Sequence, residues 1–418
     1  MIPRSLILVA AAVVPVAARS KPPASYAITN ATIVPVVGPR VERGTVVIRN
    51  GRIEAVGAQV AVPGDATRLD GTGLFVYPGF INAGTQLGLT EISSVPGSED
   101  TQELGTFNPH DDALTAVNPS SELIPVTRVS GLTTAITSAK GGLIQGSAAL
   151  IDLYGWTPDE MAVKARAAMV MTYPRVSGGR GRFRRQEAAD PTETMNRQVR
   201  ELFDYLRNAK AYHELAIKDK TSLPFEALGP ALRGEMPVIF DVETTDQIRG
   251  VLALADTFKL KVILRGASHA WSVADELATR KIPVIVGPTT EVPDGDMPYD
   301  EVYANPGVLA KAGVTIAFQT NDAAESRNLP YDAALATAYG LDPDEAIRAL
   351  TINPARIFGV DDRLGSIEPG KEATLQVTTG DPLDARTVVK QVFIRGNLIP
   401  MDDRNTRLYQ QFRARPKP

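Results

Sequence analysis

Histidine and cysteine, two residue types that often serve as nucleophiles, proton-transfer groups or metal ligands, are scarce in this chain. It contains three histidines, His110, His213 and His269, and no cysteine. The lack of cysteine excludes disulfides, thiolate nucleophiles and zinc–thiolate sites. The sequence also lacks the phosphate-binding pattern G-x-x-x-x-G-K-[ST] and the nucleophile pattern G-x-S-x-G. Any site must therefore be built mainly from carboxylate, amide and guanidinium groups with few imidazoles.

The elements that position these groups follow two patterns. Short alternating strands with Asn-Gly and Asp-Gly turns occupy 25–75, and the same style returns at 361–403. In 76–360 strand patterns alternate with helical ones, which is typical of parallel strands joined by crossover helices. The number of strands favours a barrel over a doubly wound sheet. We therefore predict an α/β protein, a (β/α)8 TIM barrel with a small composite β-sandwich formed from both chain ends.

Bulk properties and the N-terminus bear on location and partners. With 418 residues and a net charge of −4, the chain has no overall field that would attract nucleic acid. Arg4 precedes an apolar run that ends at Ala18, which is the pattern of a signal peptide over 1–18. We expect a periplasmic or secreted protein that is free of the membrane after cleavage; the alternative is an uncleaved N-terminal anchor.

A local cluster of arginines and glycines, "YPRVSGGRGRFRR", occupies 173–185. Its composition predicts a flexible basic loop. Such a loop is either a lid over the barrel mouth or a solvated surface insertion. As a lid it would favour an anionic small-molecule ligand.

Three stretches carry a family resemblance: "VYPGFINAGTQLGL" at 76–89, "LDPDEAIRALTINPARIFG" at 341–359 and "RLGSIEPGKEATL" at 363–375. Together they resemble the amidohydrolase superfamily, nearest to its imidazolonepropionase-like and prolidase-like branch. The resemblance implies hydrolysis of carbon–nitrogen bonds other than ordinary peptide bonds. It also implies one or two divalent metals, usually zinc, at the C-terminal ends of the barrel strands, where they activate water.

The resemblance also locates the positions at which the family holds its metal ligands. Those positions here hold Gly84, Gln86, Val170, Asp241, Arg265 and, depending on register, Asn321 or Asp322. Glycine has no donor atom, and arginine does not release its proton at usable pH. A binuclear site also needs about four histidines. We therefore predict no metal and no other cofactor.

In the metal's place we expect Arg265 to form a carboxylate–guanidinium cluster with Asp241 and Asp322, the two candidate catalytic residues. The alternative is a set of buried residues with no role in binding. Candidate substrate contacts are Gln86, Glu91, His110, Arg265 and Arg327. Each also has a plainer interpretation, such as a solvated loop carboxylate for Glu91. His213 ends a predicted helix and His269 begins one, which suggests structural roles.

These features leave three hypotheses about function. The first is an exported amidohydrolase homologue that has lost metal-dependent catalysis and binds a small ligand or a protein partner through the old pocket. The second is a working hydrolase with an unusual site, either metal-free with Asp241 or Asp322 as the base, or with a weak metal held by carboxylates and His110. The third is a non-catalytic subunit that pairs with an active homologue or with itself.

Overall fold

The computed structural model describes residues 24–176, 190–215, 220–290 and 298–416. In chain order the strands are β1 (Tyr26–Ile33), β2 (Val41–Arg49), β3 (Arg52–Gly57), β4 (Thr67–Asp70), β5 (Phe75–Pro78), β6 (Phe80–Thr85), β7 (Leu132–Thr137), β8 (Ile144–Asp152), β9 (Ala162–Thr172), β10 (Val238–Val242), β11 (Val262–Gly266), β12 (Val284–Val286), β13 (Ile316–Phe318), β14 (Leu375–Thr378), β15 (Val389–Ile394) and β16 (Asn397–Ile399). The expected signal peptide at 1–18 and most of the basic loop, 177–185, lie outside the described residues.

The helices of the described residues mostly follow barrel strands. They are α1 (Ala113–Ala116), α2 (Leu123–Arg128), α3 (Pro158–Met161), α4 (Pro191–Glu214), α5 (Leu223–Leu232), α6 (Thr245–Phe258), α7 (Ala274–Arg280), α8 (Glu301–Lys311), α9 (Leu329–Ala338), α10 (Pro343–Leu350), α11 (Ile352–Ile357) and α12 (Arg404–Arg413). In the described part of the chain, no helix is both long and apolar enough to cross a membrane.

One sheet is built from both ends of the chain. Its order is β16-β15-β14-β5-β1-β2-β3, with β4 paired to β1. The first barrel strand was expected to start at 76, but Phe75–Pro78 belongs to this sheet and pairs with β14. The boundary is Gly79, where a Cβ would lie 2.2 Å from the Thr133 hydroxyl. Only glycine allows the chain to pass from one sheet to the other at that distance.

The second sheet is the barrel, with strand order β13-β12-β11-β10-β9-β8-β7-β6. The predicted fold class is confirmed, an α/β barrel with a separate sheet domain, with one difference in detail. Seven strands run parallel, but β8 is antiparallel to both neighbours. Only a short segment with a Gly141-Gly142 turn connects β7 to β8, and a parallel connection needs a dozen or more residues. The strict alternation expected from the sequence is therefore broken by a hairpin.

The barrel closes next to its mouth. The backbone N–H groups of Thr320 and Asn321, just beyond β13, donate to the Gly84 carbonyl in β6 at 3.3 and 3.0 Å. Below this point an apolar layer fills the interior. It consists of Ile81, Ala83, Ile136, Ala148, Leu150, Val170, Ile239, Ile263, Ile285 and Ala317. Because side chains alternate along a strand, the residues two positions further on reach the mouth above this layer.

Candidate functional site

A cavity of about 360 Å³ lies at the C-terminal ends of the barrel strands. This is the end at which barrel enzymes place their sites. Its lining is largely polar and charged, and consists of Lys140, Gly141, Gln145, Thr172, Arg175, Asp241, Val242, Glu243, Gln247, Arg265, Gly266, Gln319 and Asn321. Of the seven residues predicted for the site, the lining contains two, Asp241 and Arg265.

An ion pair between Asp241 and Arg265 forms the floor of this cavity. The two residues are register partners on adjacent parallel strands. Arg265 Nε lies 2.5 Å from Asp241 Oδ1, and Arg265 Nη2 lies 2.9 Å from Asp241 Oδ2. The remaining Nη1 donates to the Ser138 hydroxyl at 2.9 Å. Two parallel charge-assisted bonds plus a third neutral partner fix the guanidinium in one orientation.

The predicted first-strand contact, Gln86, does not line the cavity, and the family's other first-strand ligand position is the glycine Gly84. A Cβ on Gly84 would lie 2.4 Å from Gln319 Oε1 and 3.3 Å from Arg265 Cδ. The space that an imidazole would need at that position is therefore filled by Gln319 and Arg265. Gln86 is buried outside the cavity lining, and its carbonyl accepts the backbone N–H groups of a tight turn.

A divalent cation does not fit the groups present at the mouth. Among the described residues, no cluster of three or more His, Asp or Glu side chains could hold a metal ion. The two carboxylates of the lining are paired with cations, Asp241 with Arg265 and Glu243 with Arg175. Val170 lies in the apolar layer beneath the mouth. To reach either carboxylate, a metal would have to displace the guanidinium that is paired with it.

Register at the last strand places Asn321, rather than Asp322, at the cavity. Asn321 adopts φ +53°, a conformation that asparagine tolerates better than most residues. The Asp322 carboxylate instead accepts the backbone N–H groups of Ala324 and Glu325 at 2.8 and 3.0 Å. These two donors open the 3₁₀ turn Ala324–Asn328. The expectation that Asp322 joins Asp241 and Arg265 at the cavity is therefore wrong, because the backbone after β13 turns its Oδ1 toward these N–H groups.

The other three predicted contacts also lie away from the cavity lining. Arg327 is exposed and lines a different cavity of about 320 Å³. Glu91 lies in the loop after β6, and its backbone N–H donates to Ser98. His110 is exposed, with Nε2 3.9 Å from the Asp111 carboxylate. None of these three side chains lines the cavity at the C-terminal ends of the barrel strands.

The remaining two histidines have structural surroundings. His213 Nε2 lies 2.6 Å from the Phe225 carbonyl, which ties the end of α4 to α5. His269 precedes the 3₁₀ turn Ala270–Val273, and its backbone N–H donates to Glu243. Neither side chain lines the cavity.

Two glutamines of the lining were missed from the sequence. Gln145 Nε2 donates to Thr172 Oγ1 at 2.6 Å and to Asp241 Oδ2 at 3.2 Å, and Gln319 Nε2 donates to the Gly287 carbonyl at 2.9 Å. These bonds fix the amide orientations, since a flip would place oxygen against oxygen. Both Oε1 atoms are then buried, and none of the described residues donates to them. Gln145 comes from β8, and the Gly-Gly turn before that strand was the sequence signal for it.

Lys140 was also missed. Its Nζ donates to the Asn321 carbonyl at 3.0 Å, and its backbone N–H donates to Thr101 on the loop after β6. Burial lowers the pKa of Lys140, and Arg265 lowers it further, while Asp322 and Asp241 act in the opposite direction. The mouth therefore carries a lysine whose charged form is disfavoured by its surroundings.

A model of the amidohydrolase family matches residues 296–399. The crystal structure of an amidohydrolase from Thermotoga maritima MSB8 shares 27% identity with a TM-score of 0.79, covering 90% of this chain and 99% of that chain. The chain belongs to the amidohydrolase superfamily.

Two curated relatives extend the comparison. Amidohydrolase tasK of Hapsidospora irregularis is 23% identical over 388 residues, which is 84% of this chain but 39% of that protein. An imidazolonepropionase of Porphyromonas gingivalis (strain ATCC 33277) is 42% identical over 79 residues, which is 18% of this chain and 19% of the relative. The match therefore spans well under two thirds of either protein's length.

Proposed function

We propose that this chain uses its barrel mouth to bind a small amide- or urea-type molecule without a divalent cation, and that metal-dependent hydrolysis has been lost. Family membership supports the ligand class, because the superfamily acts on carbon–nitrogen bonds. The observation that carries the proposal is the Arg265 guanidinium, held by Asp241 and Ser138 where the family pattern has a metal ligand. A fixed positive charge there opposes entry of a second cation.

The two orphan amide oxygens support an N–H-bearing ligand. Gln145 and Gln319 are 6% and 3% exposed, and each leaves Oε1 without a donor among the described residues. A buried acceptor without a donor costs about 1–3 kcal/mol. A primary or secondary amide or a urea supplies N–H donors, and it also carries a carbonyl that can accept from cationic groups of the mouth.

The first test measures metals and amide binding on the same preparation. After dialysis against zinc or manganese, we expect well below one equivalent of bound metal by plasma mass spectrometry. Small amides and ureas should bind in an NMR titration with affinities that a chelator leaves unchanged. Retention of one or two equivalents of zinc, lost in Asp241→Ala and kept in the surface control Asp361→Ala, would contradict the proposal.

A hydrolysis assay separates this proposal from a working metal-free hydrolase. We expect no release of amine or ammonia from a panel of N-acyl amino acids and cyclic amides. Turnover that survives chelation and disappears in Asp241→Ala would instead establish Asp241 as a base. Turnover that chelation abolishes would restore the family mechanism.

We further propose that the mature protein is exported and is a homo-oligomer or pairs with a homologue. The pattern of residues 1–18 supports export. N-terminal sequencing of protein from the periplasm or medium should begin at Arg19, and an intact Met1 in a membrane fraction would contradict cleavage. Light scattering of the purified protein should give more than the mass of one chain.

A further inference from the structure

The charges that line the mouth leave one cation without a carboxylate partner. Arg265 pairs with Asp241, and Arg175 pairs with Glu243. Lys140 has no carboxylate oxygen within 4.0 Å in the described parts of the chain; its bond is to the Asn321 carbonyl. Asp322, Asp241 and Glu99 act on it only from further away. The lining as described therefore has a net charge of +1, and that charge is located on Lys140.

The protein backbone holds Lys140 at the mouth from two sides. The Lys140 N–H donates to the Thr101 carbonyl at 2.7 Å, which attaches the β7–β8 turn to the loop after β6. The Asn321 carbonyl that receives Nζ is presented by a left-handed residue at the end of β13. A partly buried ammonium that is bonded to a neutral carbonyl retains donors for an anion.

We propose that Lys140 binds a carboxylate of the ligand, so that the natural ligand is a carboxylate-bearing amide or urea of the size of an acylated or carbamoylated amino acid. This inference rests on the function proposed above. The amide N–H groups face Gln145 and Gln319, and the carboxylate faces Lys140, all on the lining of one cavity. A cavity of about 360 Å³ is at the small end of ligand sites, which suits a ligand of this size.

The experiment compares N-acetylglycine with its methyl ester, which keeps the amide and removes the charge. Dissociation constants are measured by NMR titration at pH 7 on wild type, Lys140→Met and Lys140→Arg. Lys390→Met, an exposed lysine on β15, is the matched control. We expect the acid to bind wild type about 10- to 100-fold more tightly than the ester, the range for a charge-assisted bond.

In Lys140→Met the acid and the ester should have about equal dissociation constants, because the ester is bound without the lysine. Lys140→Arg should keep part of the preference for the acid, and Lys390→Met should keep all of it. If the acid and the ester bind wild type equally, or if the preference persists in Lys140→Met, the role of Lys140 is refuted while the amide site stands. If neither compound binds at millimolar concentration, both this inference and the proposed function are refuted. The acid–ester comparison in wild type needs no variant, so it holds even if Lys140→Met does not fold.

Discussion

Separating the Asp241–Arg265 pair tests the electrostatic core of the site. Removing one partner of a buried pair leaves the other charge behind, and such changes cost about 3–5 kcal/mol. The charge that is left behind differs between the two single variants. The Arg265 side chain is 5% exposed, whereas the Asp241 side chain is 31% exposed. Water can therefore solvate Asp241 when Arg265 is replaced, but it cannot solvate Arg265 when Asp241 is replaced.

We therefore expect Asp241→Ala to lower the free energy of unfolding by about 4–5 kcal/mol and Arg265→Met by about 3 kcal/mol. In Arg265→Met the methionine fills part of the space of the arginine stem, and Gln145 still donates to Asp241. The double variant should cost less than the two single changes together, with a coupling of at least about 1.5 kcal/mol.

Urea denaturation of the four proteins at pH 7, with unchanged m-values as the check on two-state behaviour, gives these free energies. Two results would refute the reasoning. One is an Arg265→Met variant that is less stable than Asp241→Ala. The other is additivity to within about 0.5 kcal/mol, which would mean that the pair contributes no coupling of its own.

Two further predictions concern packing and pH. Gly84→Ala should lower the free energy of unfolding by about 1–3 kcal/mol, because its Cβ would lie 2.4 Å from Gln319 Oε1. Gly64→Ala, which has open space around it, is the control and should change the free energy measured by urea denaturation little. Equal changes in the two variants would contradict this reasoning. Burial raises the pKa of Asp152 from 3.8 to about 7 against the lowering effect of Arg395, so the folded state holds a proton that the unfolded state has released. The free energy of unfolding should therefore fall as pH rises from about 4 to 7, by at most about 4 kcal/mol. Urea denaturation at several pH values measures this fall, and Asp152→Asn should make it smaller. An unchanged pH dependence in Asp152→Asn would show that Asp152 is not its source.

The sequence by itself was sufficient for the fold class and for one pair of site residues. Strand and helix periodicity are local properties, so the alternation in 76–360 predicted the barrel. Asp241 and Arg265 are the last residues but one of adjacent parallel strands, and parallel strands bring their carboxyl ends to the same edge. Their meeting could therefore be inferred without coordinates. The motif resemblance identified the superfamily for the same reason, because its residues lie within short continuous stretches.

Tertiary structure decided what else reaches the mouth. Gln145 reaches the cavity from β8, an antiparallel strand that the expected alternation of strands and helices did not predict. Lys140 reaches it from the turn before β8. At the last strand, Asn321 lines the cavity and the next residue, Asp322, does not. Asn321 adopts the left-handed conformation, and the Asp322 carboxylate that follows it accepts backbone N–H groups instead. Such outcomes depend on φ and ψ at individual loop residues and on hydrogen bonds between distant segments, and neither is encoded in residue spacing.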